Sequence, residues 1–260
     1  MTLWKRRRAC RARLQRREVP HHLVLKRDSI DFMNDELPAG VVDCVFTDPP
    51  YDGMNAHLSY GKARSANTST YVWYQPLTND RYPLFLQACK RALKDQAFFF
   101  CMLDNFSMLE LGPQVGTVFD TKSILIWDKT SIGPGYYFRR QHELIIFATT
   151  GKRKMVSKGH ADIIPVPRVR GKEKYPTEKP VALVRYCLEA ALGAVGDHPT
   201  AVVMDPFGGS GSTAEAADEL GHNSIYLDVA DEALDRVKRR LSARGATVHE
   251  KLDSFLAAVQ

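Results

Sequence analysis

Asp48-Pro49-Pro50-Tyr51 sets an acid, a carbonyl stiffened by proline and an aromatic ring within four residues. The apolar run before it, Val41 to Thr47, predicts a strand. Neither proline can donate to a sheet ladder, so the strand must stop there and present these groups at its carboxyl end. Open α/β sheets hold their ligand sites at that edge. Asp48 and the Pro49 carbonyl can accept from the N–H groups of a flat amine, and Tyr51 can stack on its face. That is equipment for chemistry on an exocyclic base nitrogen. Taken alone, the four residues also fit a plain strand exit.

A second constellation lies downstream. Ala201 to Asp205 reads as a short buried strand running into Pro206-Phe207-Gly208-Gly209-Ser210-Gly211-Ser212-Thr213 and then a helical stretch, Ala214 to Leu220. Strand, glycine-rich turn and helix form a cradle for a nucleotide-type cofactor, because glycine lets the backbone approach a ligand closely. A next strand, Asn223 to Leu227, ends in Asp228, 17 positions beyond Gly211, where a carboxylate can accept from ribose hydroxyls. There is no Gly-Lys-Ser/Thr ending, which disfavours ATP. The turn by itself fits NAD, FAD or S-adenosylmethionine.

Together the two motifs resemble the DNA amino-methyltransferases that use S-adenosylmethionine to modify adenine N6 or cytosine N4. Asp48-Pro49-Pro50-Tyr51 matches their catalytic motif and Phe207-Gly208-Gly209-Ser210-Gly211 their Phe-x-Gly-x-Gly cofactor motif. The order, catalytic motif first, resembles the permuted β class. Three more segments match: Tyr175-Pro176-Thr177-Glu178-Lys179-Pro180, the Trp127-Asp128-Lys129 and Tyr137 to Glu143 pair, and Leu25 to Ser29. The resemblance spans roughly residues 22–243. Arg27 stands where the family often has glycine, and Asp228 where it more often has glutamate.

The resemblance implies a Rossmann-like methyltransferase fold: α/β, a mostly parallel seven-stranded sheet with one antiparallel strand, helices on both faces. It implies catalysis by Asp48, Pro49, Pro50 and Tyr51. It implies an S-adenosylmethionine site built from Asp28, Thr177, Lys179, Asp205, Phe207, Gly208, Gly209, Ser210, Gly211, Thr213 and Asp228. The substrate amine is buried in a duplex, so the base must flip out before direct in-line transfer. A cytosine-C5 enzyme would need a cysteine nucleophile, commonly in Pro-Cys, and no Pro-Cys pair is present. An aspartate opening the motif goes mainly with adenine N6. Cytosine N4 in DNA and adenine in RNA are the alternatives.

Charge agrees with a polyanionic partner. The net is +6, yet residues 1–17 carry eight cations and no acid, so the other 243 residues sum to −2. Residues 151–174 hold a local +6. Phosphate contacts use such segments, so Lys152, Arg153, Lys154, Arg168 and Arg170, together with Arg139 and Arg140 of the matching Tyr137 to Glu143 segment, are the candidate DNA contacts. The expected organisation is a basic tail over 1–20 and one methyltransferase domain over 21–260. Within it fall a catalytic half to about 150, a recognition segment over 151–174 and a cofactor half over 175–250. A recognition segment that short suits a short target or relaxed specificity. Residues 52–78, polar and aromatic without period, are positioned to close over a flipped base, or simply pack down on the domain.

Five cysteines without Cys-x-x-Cys spacing read as free thiols in a reducing cytoplasm, and no metal-ligand pattern is visible. No apolar run reaches the roughly 18 residues of a membrane span. A homodimer, common in the resembled branch, and a cognate restriction endonuclease are further expectations. Helices are predicted near 29–36, 81–93, 177–192 (capped by Thr177) and 231–243. Strands are predicted near 22–26, 97–102, 123–127, 144–148 and 247–250.

Overall fold

The computed structural model describes residues 19–50, 77–133, 137–171, 175 and 177–260. The N-terminal tail through residue 18, Tyr51, the segment to residue 76, Lys172 and Lys174 lie outside them. The described strands are β1 (His21–Lys26), β2 (Val42–Thr47), β3 (Leu93–Leu103), β4 (Asp120–Asp128), β5 (His142–Thr150), β6 (Ile163–Pro165), β7 (Val202–Asp205), β8 (Asn223–Asp228) and β9 (Thr247–His249). They form one sheet in the order β6-β4-β5-β3-β2-β7-β8-β1-β9.

Only β5 runs against its neighbours, pairing antiparallel with both β3 and β4; every other pairing is parallel. The expectation of a mostly parallel sheet with one reversed strand is met. Its count rises from seven to nine through two three-residue edge strands, β6 and β9. β6 falls inside the basic segment and too few residues carry its pattern for it to stand out.

Ala97 to Leu103 is buried on both faces of β3, as a central parallel-type strand requires. Alternate residues serve two cores. Val45, Phe99 and Cys101 join the side covered by α1 (Ser29–Asp31), α2 (Tyr82–Ala92), α4 (Gly112–Val118) and α8 (Leu252–Val259). Phe46, Phe98 and Phe100 pack under α5 (Val181–Leu192) and α6 (Ser212–Leu220). A smaller cluster holds α7 (Asp231–Ala243) on Val24 and Tyr226 through Val237 and Leu241.

Some elements differ from expectation. A π-helical turn, Phe32–Glu36, continues α1. α3 (Asn105–Glu110) and α4 had no helical signal, because Gly112-Pro113 reads as a breaker. Pro113 instead occupies the first turn of α4, where its missing N–H costs nothing. Thr177 does not cap α5: Pro180 holds the N-cap position without a side-chain bond, and Thr177 sits in the left-handed region at φ 58°. The four described cysteines, 44, 89, 101 and 187, are buried free thiols, as expected of core filler. Among the described residues no helix is long and apolar enough to cross a membrane.

β2 and β7 are the central neighbours at which the topology divides. From β2 the chain winds towards β3 and β4, and from β7 towards β8. Such a switch point opens a crevice at the carboxyl ends of the two strands.

Candidate active site

That crevice is a cavity of about 630 Å³. The exit of β2 lines one wall with Asp48 and Pro50, and the turn after β7 lines another with Pro206 to Ser210. Asp28, Arg81, Tyr175, Thr177, Lys179 and Asp228 complete the rim, with apolar patches from Phe46, Leu77 and Val184. The described part of the first motif, Asp48 and Pro50, and Phe207 to Ser210 of the second thus share one pocket. Pro49 is buried, and the Pro50 carbonyl accepts from the Leu77 N–H.

The glycine turn is braced from below and from outside. Asp205, buried at the end of β7, accepts from the Phe207 N–H at 3.1 Å and from the Thr213 hydroxyl at 2.6 Å. Burial pushes its carboxyl up to about 7 against those two bonds. Tyr226 Oη donates to the Gly209 carbonyl at 2.7 Å, and a Cβ on Gly208 would lie 2.1 Å from that ring. Gly211 has φ 84° and leads directly into α6. These positions require glycine, whereas Ser210 and Ser212 bond each other at 2.9 Å, and Ser212 donates to the Lys179 carbonyl at 2.6 Å.

Asp228 accepts from Gly209 N–H and Ala230 N–H, both at 2.9 Å, one on each oxygen. Burial raises its carboxyl above the ordinary value. Each oxygen keeps a further lone pair for a hydroxyl ligand. Asp28 is more committed than expected: it caps α1 through the Ile30 N–H at 2.9 Å and pairs with Arg81 at 3.2 Å.

The Glu178-Lys179 pair has two functions the sequence did not reveal. Glu178, nearly buried, accepts from Arg236 at 3.1 Å, Arg240 at 2.6 Å and the Tyr175 N–H at 2.9 Å. Arg240 also donates to the Ser210 carbonyl at 2.9 Å, so α7 clamps this segment to the glycine turn. Lys179, expected on the cofactor, donates to Asp48. It also lies 3.5 Å from Glu143, which Lys129 approaches at 2.6 Å. In the sequence, Glu143 and Lys129 stand out only as parts of the matching segments.

The candidate DNA contacts split between the two edges of the sheet. Arg139 and Arg140 precede the reversed strand β5, and Arg168 and Arg170 follow β6, so all four stand at the carboxyl edge with the cavity. Arg139 donates to the Gly133 carbonyl at 2.8 Å and Arg140 lies 3.4 Å from Asp104. Lys152, Arg153 and Lys154 follow the far end of β5 and therefore lie at the opposite edge. Arg153 is committed there: it donates to the Gln96 carbonyl at 2.8 Å, pairs with Asp43 at 3.4 Å and stacks on Phe98. The structure does not bring these three to the site.

A family profile described as DNA methylase, of the N6 and N4 type, matches residues 42–239. YubD of Escherichia coli (strain K12) is 28% identical over 80% of this chain and 85% of its own length. The DNA adenine methyltransferase YhdJ of the same organism is 25% identical, over 84% of this chain and 82% of its own length. The M1.HpyAVI–SAM complex shares the fold with a TM-score of 0.62 at 20% identity, covering 85% of this chain and 98% of that one.

Proposed function

This chain belongs to the DNA methylase family of N6 and N4 amino-methyltransferases, and from that membership we propose that it methylates the N6 amine of a flipped adenine in DNA, with S-adenosylmethionine as donor. The observation that carries the reading is the shared cavity: the amine-gripping strand exit and the glycine cradle open into it from adjacent central strands. YhdJ, named for adenine, and the complex of M1.HpyAVI with SAM support the base and the cofactor.

The residues present suit the donor. Gly208 and Gly209 line the cavity with backbone, Gly208 having no room for a side chain beside Tyr226, and Asp228 keeps acceptor capacity for ribose hydroxyls. Phe207 and Asp28 line the same cavity. When bound, S-adenosylmethionine supplies a methyl group activated by a sulfonium. Asp48 and the Pro49 carbonyl accept from the amine N–H groups, which turns the nitrogen lone pair towards that methyl. They also stabilise the positive charge that grows on nitrogen. The apolar patches exclude water, and the rim fixes the approach.

The test is incubation of unmethylated plasmid with labelled S-adenosylmethionine, followed by nucleoside mass spectrometry. N6-methyladenine is expected. N4-methylcytosine would keep the machinery and change the base, since Asp48 can serve either amine. Preferential labelling of RNA over duplex DNA in competition would overturn the DNA reading.

The split of the basic residues gives a second expected result. Arg168→Ala with Arg170→Ala should weaken DNA binding and flatten the slope of log K against log salt by about 2, one phosphate contact each. Lys152→Ala with Lys154→Ala, on the opposite edge, should leave the slope unchanged. Salt titrations by fluorescence anisotropy check both.

A further inference from the structure

Four charges of alternating sign run from the end of β4 into the cavity: Lys129, Glu143, Lys179, Asp48. All four side chains are largely or mostly buried. We propose that Lys179, shared between Asp48 and Glu143, is the positioning residue that keeps Asp48 an ionised acceptor with one oxygen free for the amine. The inference rests on the methyltransferase reading and extends it to residues that the catalytic motif does not contain.

The geometry argues for it in three steps. Lys179 occupies Oδ2 of Asp48. An ammonium donates only, so it fixes the rotation of the carboxylate and leaves Oδ1 as the unblocked acceptor. A carboxylate facing Phe46, Pro50, Leu77 and Val184 would otherwise tend to take up a proton, because desolvation disfavours its charged form. A protonated Asp48 would carry a donor where the amine needs an acceptor. Glu143 then sets the strength of the effect. Placed 3.5 Å from Lys179 on the side away from the cavity, it divides the ammonium between two carboxylates. Lys129, at 2.6 Å and resting over the Trp127 ring, keeps Glu143 itself ionised.

The directions of titration agree. Burial raises Asp48 above the ordinary carboxylate value, opposed by Lys179 and assisted by Glu143. Burial also pushes Glu143 upward, but Lys179 and Lys129 outweigh it and hold it low. Lys179 is held above its ordinary value, since its two carboxylates exceed the cost of burial. The remaining titratable groups acting around Asp48 are Asp205 from β7 and Cys101 from β3. Neither supplies a positive charge, so Lys179 and, behind it, Lys129 are the cations that act on Asp48.

Carbon-13 NMR titration of the Asp48 carboxyl in the full chain, without substrate, tests this together with the pH profile of kcat/KM. Lys179→Met should move the Asp48 midpoint and the acid limb up by about one pH unit or more. Glu143→Gln should move both down, because a like charge has gone. Opposite shifts are the signature. Unchanged midpoints, or shifts in the same direction in both variants, would overturn the proposal and leave a structural ion network joining the β2 exit, β5 and the segment before α5. Lys179→Arg, which retains the charge, should shift least. The NMR midpoint is read without turnover. Opposite shifts in a protein that methylates no nucleic acid would therefore refute the assigned reaction and not the positioning role.

Discussion

Asp48→Ala is expected to lower kcat/KM for methyl transfer about a thousandfold or more, while the Kd for S-adenosylmethionine changes by less than about threefold. The asymmetry follows from what each wall of the cavity does. In the proposed reaction Asp48 faces the amine, and its acceptor oxygen matters most when positive charge develops on nitrogen. The glycine turn and Asp228, on the other wall, retain every bond they make in the intact protein. The substitution also leaves Lys179 beside Glu143 alone. That cation cannot replace the lost acceptor, because it only donates. Single-turnover methylation with saturating cofactor, combined with calorimetric titration of the cofactor, separates the two effects. A variant retaining a tenth of the activity would show that the Pro49 carbonyl or the cofactor's placement supplies most of the catalysis.

Gly208→Ala should act the other way, losing cofactor binding first. A Cβ at this position would stand 2.1 Å from Tyr226 Cε2 and 2.3 Å from Cδ2. Tyr226 is fully buried on β8, and its hydroxyl already holds the Gly209 carbonyl, so the ring has nowhere to retreat. The turn must lift instead, and overpacking of this kind typically costs about 1–3 kcal/mol. Lifting moves Gly209 away from Asp228 and spoils the surface that the donor would lie on. The expected result is a rise of about 30-fold or more in Kd, with a lower Tm. Gly116→Ala in α4 is the control: its Cβ meets only Thr121 Oγ1, at 3.8 Å, and an alanine inside a helix gains stability. If both variants bound the cofactor equally well, the turn would not be the cofactor's floor.

Much of this site was legible because its two halves are local. Two prolines ending an apolar run place Asp48 at a strand exit, and glycines between a strand and a helix mark a tight turn. Neither inference needs distant contacts. The partners of these groups were not legible for the same reason. Lys179 meets Asp48 across 131 positions, and Arg240 meets Glu178 across 62, and no periodicity encodes such pairs. Thr177 read as a helix cap because threonine before an apolar run usually is one, yet Pro180 restricts the backbone so that α5 begins only at Val181. The basic segment is divided in space in a way its sequence does not show. Counted along the chain, Lys152 to Lys154 and Arg168 to Arg170 form one block, but the fold sends them to opposite edges of the sheet.

The reversed direction of β5 separates those residues, and it also determines where the protein can grow. The described parts of the connections, 129–133, 137–141 and 166–171, stand at the carboxyl end of the parallel strands, as the cavity does, whereas the stretch over 151–160 turns at the other end of the sheet and runs along α5 through the Val156 and Ser157 N–H bonds. Lengthening either of the first two adds surface at the cavity's end of the sheet while leaving the β2 exit and the glycine turn undisturbed. Lengthening the third adds bulk far from the substrate. Under the proposed function, target preference and chemistry can therefore diversify separately in this architecture, with new reading elements inserted at two ports and the same four-charge line retained beneath them.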